Sequence, residues 1–238
     1  MLHGPQRDIF DLEFRIPAEC ADQVAAGKSD IGIIPSFELT HQDLEIIPGC
    51  GIACHGAVRS ILLVSSRPAD QIRTLAVDSS SRTSVQLARV VLERKYGASY
   101  VSIPHAPDLE AMLQVADAAL VIGDPALRID AARLPYHVYD LGAEWQEMTG
   151  LPMVFAVWAG HRRVMAPGVA DIFSDSLRYG REHLDQIVSV ESARRDFDAA
   201  LVREYLTRYI VHELGPREYE GMELFLSYAR SLPAATLI

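Results

Sequence analysis

The sequence predicts an α/β protein in which strands and helices alternate over the first two-thirds and helices alone fill the last third. Short apolar runs bounded by Gly, Pro or Asp, such as residues 31–34 and 118–122, are typical of buried strands. Between them apolar residues recur at helical spacing, and beyond Pro167 only this helical pattern continues. The alternation favours mostly parallel sheets covered on both faces, which bind ligands beyond the carboxyl ends of their strands.

The predicted strands are short and end at proline, glycine or polar residues. In chain order they cover residues 10–16, 31–34, 44–47, 51–54, 61–65, 74–77, 100–103, 118–122, 137–141 and 153–159. Pro48 and Gly49 separate the third segment from the fourth, since both residue types interrupt strands. Residues 118–122 are predicted to form a buried parallel strand. Residues 153–159 are apolar at every position and are predicted to form a central strand.

The predicted helices are recognised by apolar residues three or four positions apart and by their end signals. They cover residues 18–26, 36–39, 82–92, 107–116, 143–149, 169–179, 182–189, 195–211 and 216–230, with a helical turn at 124–125. Gly27, Gly97 and Gly150 follow three of them, at the position where a left-handed residue ends a helix.

Composition narrows the class of protein. The chain has 238 residues, of which 49% are hydrophobic, enough for one large domain or two small lobes. A net charge of −10 argues against nucleic acid or an anionic membrane as a partner. No run of about 18 apolar residues predicts a membrane span. The first residues lack the apolar core of a signal peptide, and three cysteines fit a reducing compartment, so we expect a cytoplasmic protein.

Residues 74–92 form the stretch on which a site is most readily built. They predict a strand, a polar turn and an amphipathic helix whose N-cap is Ser80 or Ser81. The free N–H groups and positive dipole end of such a helix face the space above the strand tip. The polar side chains gathered there are Ser80, Ser81, Arg82, Thr83 and Ser84. The stretch therefore predicts a carboxylate-binding point, with an ordinary capped helix as the alternative.

Five short phrases, taken in order, resemble one enzyme family. They are Asp30-Ile31-Gly32-Ile33-Ile34-Pro35, Gly56-Ala57-Val58-Arg59-Ser60, Ser80-Ser81-Arg82-Thr83-Ser84, Leu120-Val121-Ile122-Gly123-Asp124 and Gly150-Leu151-Pro152-Met153-Val154-Phe155-Ala156-Val157-Trp158. Their order and spacing resemble the chorismate dehydratases of the futalosine route to menaquinone. The resemblance covers nearly the whole chain.

This resemblance implies a two-lobed fold like that of type II periplasmic binding proteins, with the ligand between the lobes. Lobe 1 is expected to comprise residues 1–69 and 156–238, and lobe 2 residues 70–155. The implied reaction converts chorismate to 3-[(1-carboxyvinyl)oxy]benzoate by loss of water, with no metal or organic cofactor. A 1,4-dihydroxy-6-naphthoate synthase-like enzyme of the same pathway and a non-catalytic small-anion-binding protein are the alternatives. A homodimer is left open.

The candidate site residues combine the resemblance with the residue types. Ser60 matches a serine that the family places in its active site, so we expect it to be catalytic; otherwise it is a strand-start serine bonded to backbone. Thr83, Ser84 and Ser81 are expected to bind substrate at the helix start. Three further residues are expected to bind substrate, each with a structural alternative: Arg59 and Arg82 as surface charges, and Asp124 as a cap of the following turn. Cys50 and Cys54 lie four apart near His55, too loosely for zinc, so no metal site is predicted.

The implied chemistry needs a base for one ring proton and assistance for a departing hydroxide. No dyad of histidine and carboxylate stands out, which favours a substrate-assisted route in which the enolpyruvyl carboxylate takes the proton. Family members also begin with a strand and a phrase like Ser-Tyr-Leu-Asn-Thr-Leu-Pro, whose asparagine lies in the active site. This sequence opens at Met1-Leu2-His3-Gly4-Pro5, which resembles the end of the helix that follows. We therefore expect about two dozen family residues to precede it, and the chain as written to be a poor or inactive dehydratase because buried backbone groups would lose their partners.

Overall fold

Two β-sheets organise the part of the chain that the computed structural model describes, residues 1–78 and 81–233. Its strands are β1 (Ile31–Pro35), β2 (Glu45–Cys54), β3 (Ile61–Ser65), β4 (Thr74–Val77), β5 (Val101–Pro104), β6 (Ala118–Ile122), β7 (His137–Asp140), β8 (Met153–Gly160) and β9 (Val211–Glu213). Its α-helices are α1 (Pro17–Ala25), α2 (Arg82–Val90), α3 (Leu109–Val115), α4 (Asp124–Leu127), α5 (Leu141–Thr149), α6 (Val169–Glu182), α7 (Leu184–Arg195), α8 (Ala199–Glu204) and α9 (Pro216–Ser231). Within these described ranges, none of the helices is long and apolar enough to cross a membrane.

The first sheet has the strand order β1-β8-β2-β9, and its described pairings are all antiparallel. Strand β8 lies between β1 and β2 and is buried along nearly its whole length, which confirms it as a central strand. Strand β2 runs through Pro48 and Gly49 as one element with register shifts, instead of stopping there. Strand β9 was not predicted, because three residues are too few to interrupt the helical periodicity around them.

The second sheet has the order β5-β4-β6-β3-β7. Strand β4 is parallel to β5 and β6, whereas β3 is antiparallel to both β6 and β7. The prediction of mostly parallel sheets is therefore wrong, although β6 is parallel to one of its two neighbours. Strand–helix alternation sets direction only where a helix crosses over between neighbouring strands of one sheet. Here the chain changes sheet between β2 and β3 and again between β7 and β8, so those strands enter in either direction.

The chain passes from one sheet to the other at positions that differ from the expected lobe boundaries. Strand β3 pairs within the second sheet, so the change of sheet falls between Cys54 and Ile61 instead of after residue 69. The return falls before Met153, which already pairs with Cys54 in the first sheet. An apolar run such as β3 is buried in either sheet, so its composition could not assign it to a lobe. The last third is helical apart from β9, as expected.

Most helices and strands begin and end within a few residues of the predicted positions. Helix α1 ends before Gly27, whose φ of 66° is left-handed, and α5 ends at Gly150, with a φ of 73°. The predicted strand at residues 10–16 is wrong. That segment is irregular, and Phe14 is 79% exposed, because its alternating apolar residues have no neighbouring strand to pair with. The core continues from one sheet to the other, where Trp145 of α5 packs edge-on against Phe225 of α9.

Candidate functional site at the carboxyl edge of the second sheet

Three segments singled out in the sequence meet at one edge of the second sheet. The parallel strands β4 and β6 both end there, and the antiparallel β3 begins there, with Ile61 opposite Ile122. The backbone N–H of Gly123 donates to the carbonyl of Ser60 at 2.7 Å. The turn into α2, the Gly123–Asp124 corner and Ser60 therefore share one edge, as the rule for ligand sites in such sheets predicts.

The start of α2 carries backbone N–H groups of the kind that makes a helix N-terminus attractive to anions. Ser81 is the N-cap residue, while Ser80 lies outside the described residues. The Ser81 side chain does not cap the helix, because its Oγ lies 2.8 Å from the Oγ of Ser84. Among the described residues, no group accepts from the backbone N–H groups of Arg82, Thr83 and Ser84. The positive end of the helix dipole and these donors lie at the edge of the second sheet where β4 ends.

Thr83 connects this helix to the first lobe. Its Oγ1 accepts a hydrogen bond from the backbone N–H of Phe37 at 3.1 Å and lies 3.4 Å from Ser36 Oγ. Ser36 also donates to the carbonyl of Val154 at 2.7 Å. Thr83 and Ser36 are both fully buried. Ser36 was not recognised as a site residue; its position directly after a buried strand and Pro35 was the available signal.

Arg82 pairs with two carboxylates of the first lobe. Its guanidinium donates to Glu38 at 3.0 Å and to Asp22 at 2.8 Å. Burial opposes the charge, but the hydrogen bonds to Asp22 and Glu38 outweigh it and raise the pKa of Arg82. Glu38 is buried, so Arg82 neutralises a charge that would otherwise be costly to bury. Arg82 was expected to be a substrate ligand or a surface charge. Neither interpretation included its ion pairs with Asp22 and Glu38 of the first lobe.

Ser60 directly precedes β3 at this edge of the second sheet, and its side chain is bonded to another side chain. It is 4% exposed, and its Oγ accepts a hydrogen bond from the hydroxyl of Tyr205 at 2.9 Å. The structure therefore contradicts the alternative in which the Ser60 hydroxyl is hydrogen-bonded to backbone. Tyr205 comes from the helical last third, and no motif pointed to it, since its distance to Ser60 depends on how that third packs.

Asp140 fixes the loop that carries Ser60. Its carboxylate accepts from the backbone N–H groups of Val58 at 2.9 Å and Arg59 at 2.6 Å. It also accepts from the backbone N–H groups of the second and third residues of α5, Gly142 and Ala143, as the N-cap of that helix. The two segments approach so closely that a Cβ at position 142 would lie 2.4 Å from the carbonyl oxygen of Gly56. One carboxylate thus holds both the Ser60 loop and the start of α5.

Arg59 has a structural role within the second lobe. Its φ of 67° is left-handed, a strained conformation for a residue with a side chain. Its guanidinium donates to the carbonyls of Ala126 at 3.1 Å, Leu127 at 3.3 Å and Ile129 at 2.6 Å. These bonds stabilise the turn immediately before Ser60. They direct the guanidinium to backbone, so the expectation that Arg59 clamps the substrate gains no support.

Asp124 pairs with a residue that sequence analysis did not connect with it. Its carboxylate accepts from Arg195 at 2.7 Å, and it is the first residue of α4 without capping that turn by its side chain. The interpretation of Asp124 as a cap of α4 is therefore wrong.

In the described part of the chain, no three His, Cys, Asp or Glu side chains lie close enough together to hold a metal ion. The Cys54 thiol donates a hydrogen bond to the Gly56 carbonyl.

Two sheets with a polar edge between them are the architecture of periplasmic-binding-protein-like folds. A protein of known structure from Archaeoglobus fulgidus matches 92% of this chain and 85% of its own with a TM-score of 0.68 and 16% identity. The periplasmic aliphatic sulphonate binding protein of Escherichia coli matches 94% of this chain and 79% of its own with a TM-score of 0.59 and 18% identity. At such identities the likeness shows the fold alone, and it confirms the fold class predicted from the sequence.

The family is shown by sequence comparison. The model of the menaquinone biosynthesis family matches residues 2–231, so this chain belongs to that family. A chorismate dehydratase of Thermus thermophilus is 29% identical over 246 residues, which cover 96% of this chain and 89% of the relative. A chorismate dehydratase of Campylobacter jejuni is 25% identical over 231 residues, 94% of this chain and 87% of the relative. The family resemblance drawn from the five phrases is confirmed.

Proposed function

We propose that this protein dehydrates chorismate to 3-[(1-carboxyvinyl)oxy]benzoate as a step in menaquinone biosynthesis. The observation that carries the proposal is the similarity to a chorismate dehydratase along 96% of the chain. The substrate lies between the lobe built on the first sheet and the lobe built on the second. Site residues retained in the proposal are Ser60 as the catalytic hydroxyl, and Ser81, Thr83 and Ser84 as substrate ligands.

The start of α2 supports binding of one substrate carboxylate. Chorismate is a dianion and the protein carries a net charge of −10, so attraction has to be local. The backbone N–H groups at the start of α2, the helix dipole and the Ser84 hydroxyl supply it without any added positive side chain. A hydrogen bond to a charged group contributes about 1.5–3 kcal/mol. Two such bonds are enough to orient the ring against Ser60.

The side chains at the edge favour a substrate-assisted mechanism. Ser60, Tyr205, Thr83 and Ser84 are hydroxyls, and the Asp124 carboxylate is already paired with Arg195. The enolpyruvyl carboxylate of the substrate takes the ring proton, and the bond between the ring and its hydroxyl breaks. The resulting carboxylic acid passes this proton to the departing hydroxide, which leaves as water and restores the carboxylate. Aromatisation of the ring drives the step. Ser60 donates a hydrogen bond to the departing oxygen.

Incubation of the purified chain with chorismate tests the proposal. We expect a product lighter by one water, with the ultraviolet spectrum of a substituted benzoate. An analogue without the enolpyruvyl carboxylate should bind without reacting, and normal turnover of it would refute the substrate-assisted route. Binding of chorismate without conversion would instead support a small-anion-binding protein. A chain that leaves chorismate unchanged but forms 1,4-dihydroxy-6-naphthoate from its precursor would support the other enzyme of the pathway.

A further inference from the structure

Tyr205 brings a phenol from the helical last third of the chain to the edge of the second sheet where Ser60 lies. It follows the last residue of α8 and opens the π-helical turn Tyr205–Tyr209. The chain then enters β9, which pairs with β2 in the first sheet. Ser60 lies at the start of β3 in the second sheet. The hydrogen bond between their hydroxyls therefore joins the helical last third of the chain to the second sheet.

The phenol of Tyr205 is a fixed hydrogen-bond donor at neutral pH. Its hydroxyl donates to Ser60 Oγ at 2.9 Å. Burial raises the pKa of Tyr205, and the hydrogen bond with Ser60 offsets this only in part, while Asp124 and Cys54 raise it further. The phenol consequently keeps its proton, and the direction of the bond does not reverse by ionisation.

The direction of this bond determines what Ser60 can do. A serine hydroxyl has one proton to donate and two lone pairs that accept. Tyr205 occupies one lone pair, and among the described residues no group accepts the proton of Ser60. That proton is therefore left for a ligand in the cleft.

We propose that Tyr205 is a positioning residue that orients the Ser60 hydroxyl as a donor to the departing oxygen of the substrate. This inference rests on the proposed function and adds a residue to it.

A double-mutant cycle on the full chain tests the assignment. Tyr205→Phe keeps the ring and removes the donor, and we expect kcat to fall about five- to tenfold, the effect of one hydrogen bond, with KM nearly unchanged. In a Ser60→Ala background the same change should have no further effect, because the hydroxyl that Tyr205 orients is gone. Tyr209→Phe, the same substitution in the same turn, is the matched control and should leave kcat unaltered. All variants are compared by melting temperature, which should change little.

Two results would overturn the inference while leaving the proposed function intact. One is an equal fall in kcat from Tyr205→Phe in the wild-type and Ser60→Ala backgrounds, since additivity means that Tyr205 acts elsewhere. The other is unchanged kinetics of Tyr205→Phe in an active protein. If the wild type binds chorismate without converting it, the proposed function fails. The same four variants are then compared by their Kd for chorismate, and equal effects of Tyr205→Phe in both backgrounds would overturn the inference as well. A wild type that neither converts nor binds chorismate overturns both.

Discussion

Removing the Asp140 carboxylate should cost far more stability than removing an ordinary helix cap. Asp140→Ala leaves four backbone N–H groups without their acceptor, two at the start of α5 and two in the loop before Ser60. Loss of an N-cap costs about 1 kcal/mol, and each bond from a charged acceptor contributes about 1.5–3 kcal/mol. Because these contributions are not additive, we expect a total loss of about 3–5 kcal/mol, a large part of the roughly 5–15 kcal/mol typical of a domain.

Urea unfolding measures the free energy of unfolding that Asp140→Ala loses, provided that the dependence of this free energy on urea concentration is the same in wild type and variant. Asp108→Ala is the matched control, because Asp108 caps α3 by accepting from Ala111 alone, at 3.0 Å. We expect that control to lose about 1 kcal/mol. The excess loss in Asp140→Ala is the contribution of the Ser60 loop. Equal losses in the two variants would refute the argument that Asp140 holds this loop in place.

Three further outcomes follow from the site and its surroundings. Thr83→Val removes both the acceptor for Phe37 and a hydroxyl at the helix start, so kcat/KM for chorismate should fall about tenfold or more; unaltered kinetics would exclude Thr83 from the site. Ser60→Ala should lower turnover strongly at a near-normal melting temperature, whereas lost stability with normal specific activity would make Ser60 structural. Burial opposes ionisation of Glu218, but hydrogen bonds from His55 and the Gly215 N–H outweigh it and lower the pKa of Glu218. Glu218 therefore contributes stability above its unfolded pKa of about 4.3 that is lost as pH falls through the lower folded value, and acid titration of Glu218→Gln by circular dichroism should show less of that loss.

Local signals in the sequence were sufficient for most of the fold. Gly27 and Gly150 marked helix ends, and the unbroken apolar run of β8 marked a central strand, because backbone conformation and burial depend mainly on nearby residues. Strand direction and lobe membership of β3 were missed, since they depend on which sheet the chain enters. That the turn before α2 and the Gly123–Asp124 corner share one edge of the second sheet follows from the parallel pairing of β4 with β6, which the strand–helix alternation between them indicated.

The side chains that complete the site were beyond reach of the sequence alone. Tyr205 contacts Ser60 across 145 positions of chain, and Glu38 contacts Arg82 across 44. Neither distance follows from periodicity or capping, and both depend on how the two sheets are oriented. Asp140 could have been recognised as a helix cap before Leu141 but not as the acceptor for the loop at Val58 and Arg59. Sequence reasoning therefore named the segments that meet at the candidate site and missed the residues that bond to them.

The interleaved order of the strands has a consequence for how the chain folds. The second sheet is built from one continuous stretch, from β3 to β7, so its contacts can form as soon as that stretch has been synthesised. Strands β1 and β2 emerge earlier, but their shared partner β8 lies beyond the entire second lobe, and β9 lies later still. Contacts between distant residues form slowly, because a long loop has to close first. During synthesis the isoleucine-rich β1 and β2 therefore have unpaired edges until β8 has been made, while the second lobe is already folded. In this interval the nascent chain is most exposed to aggregation.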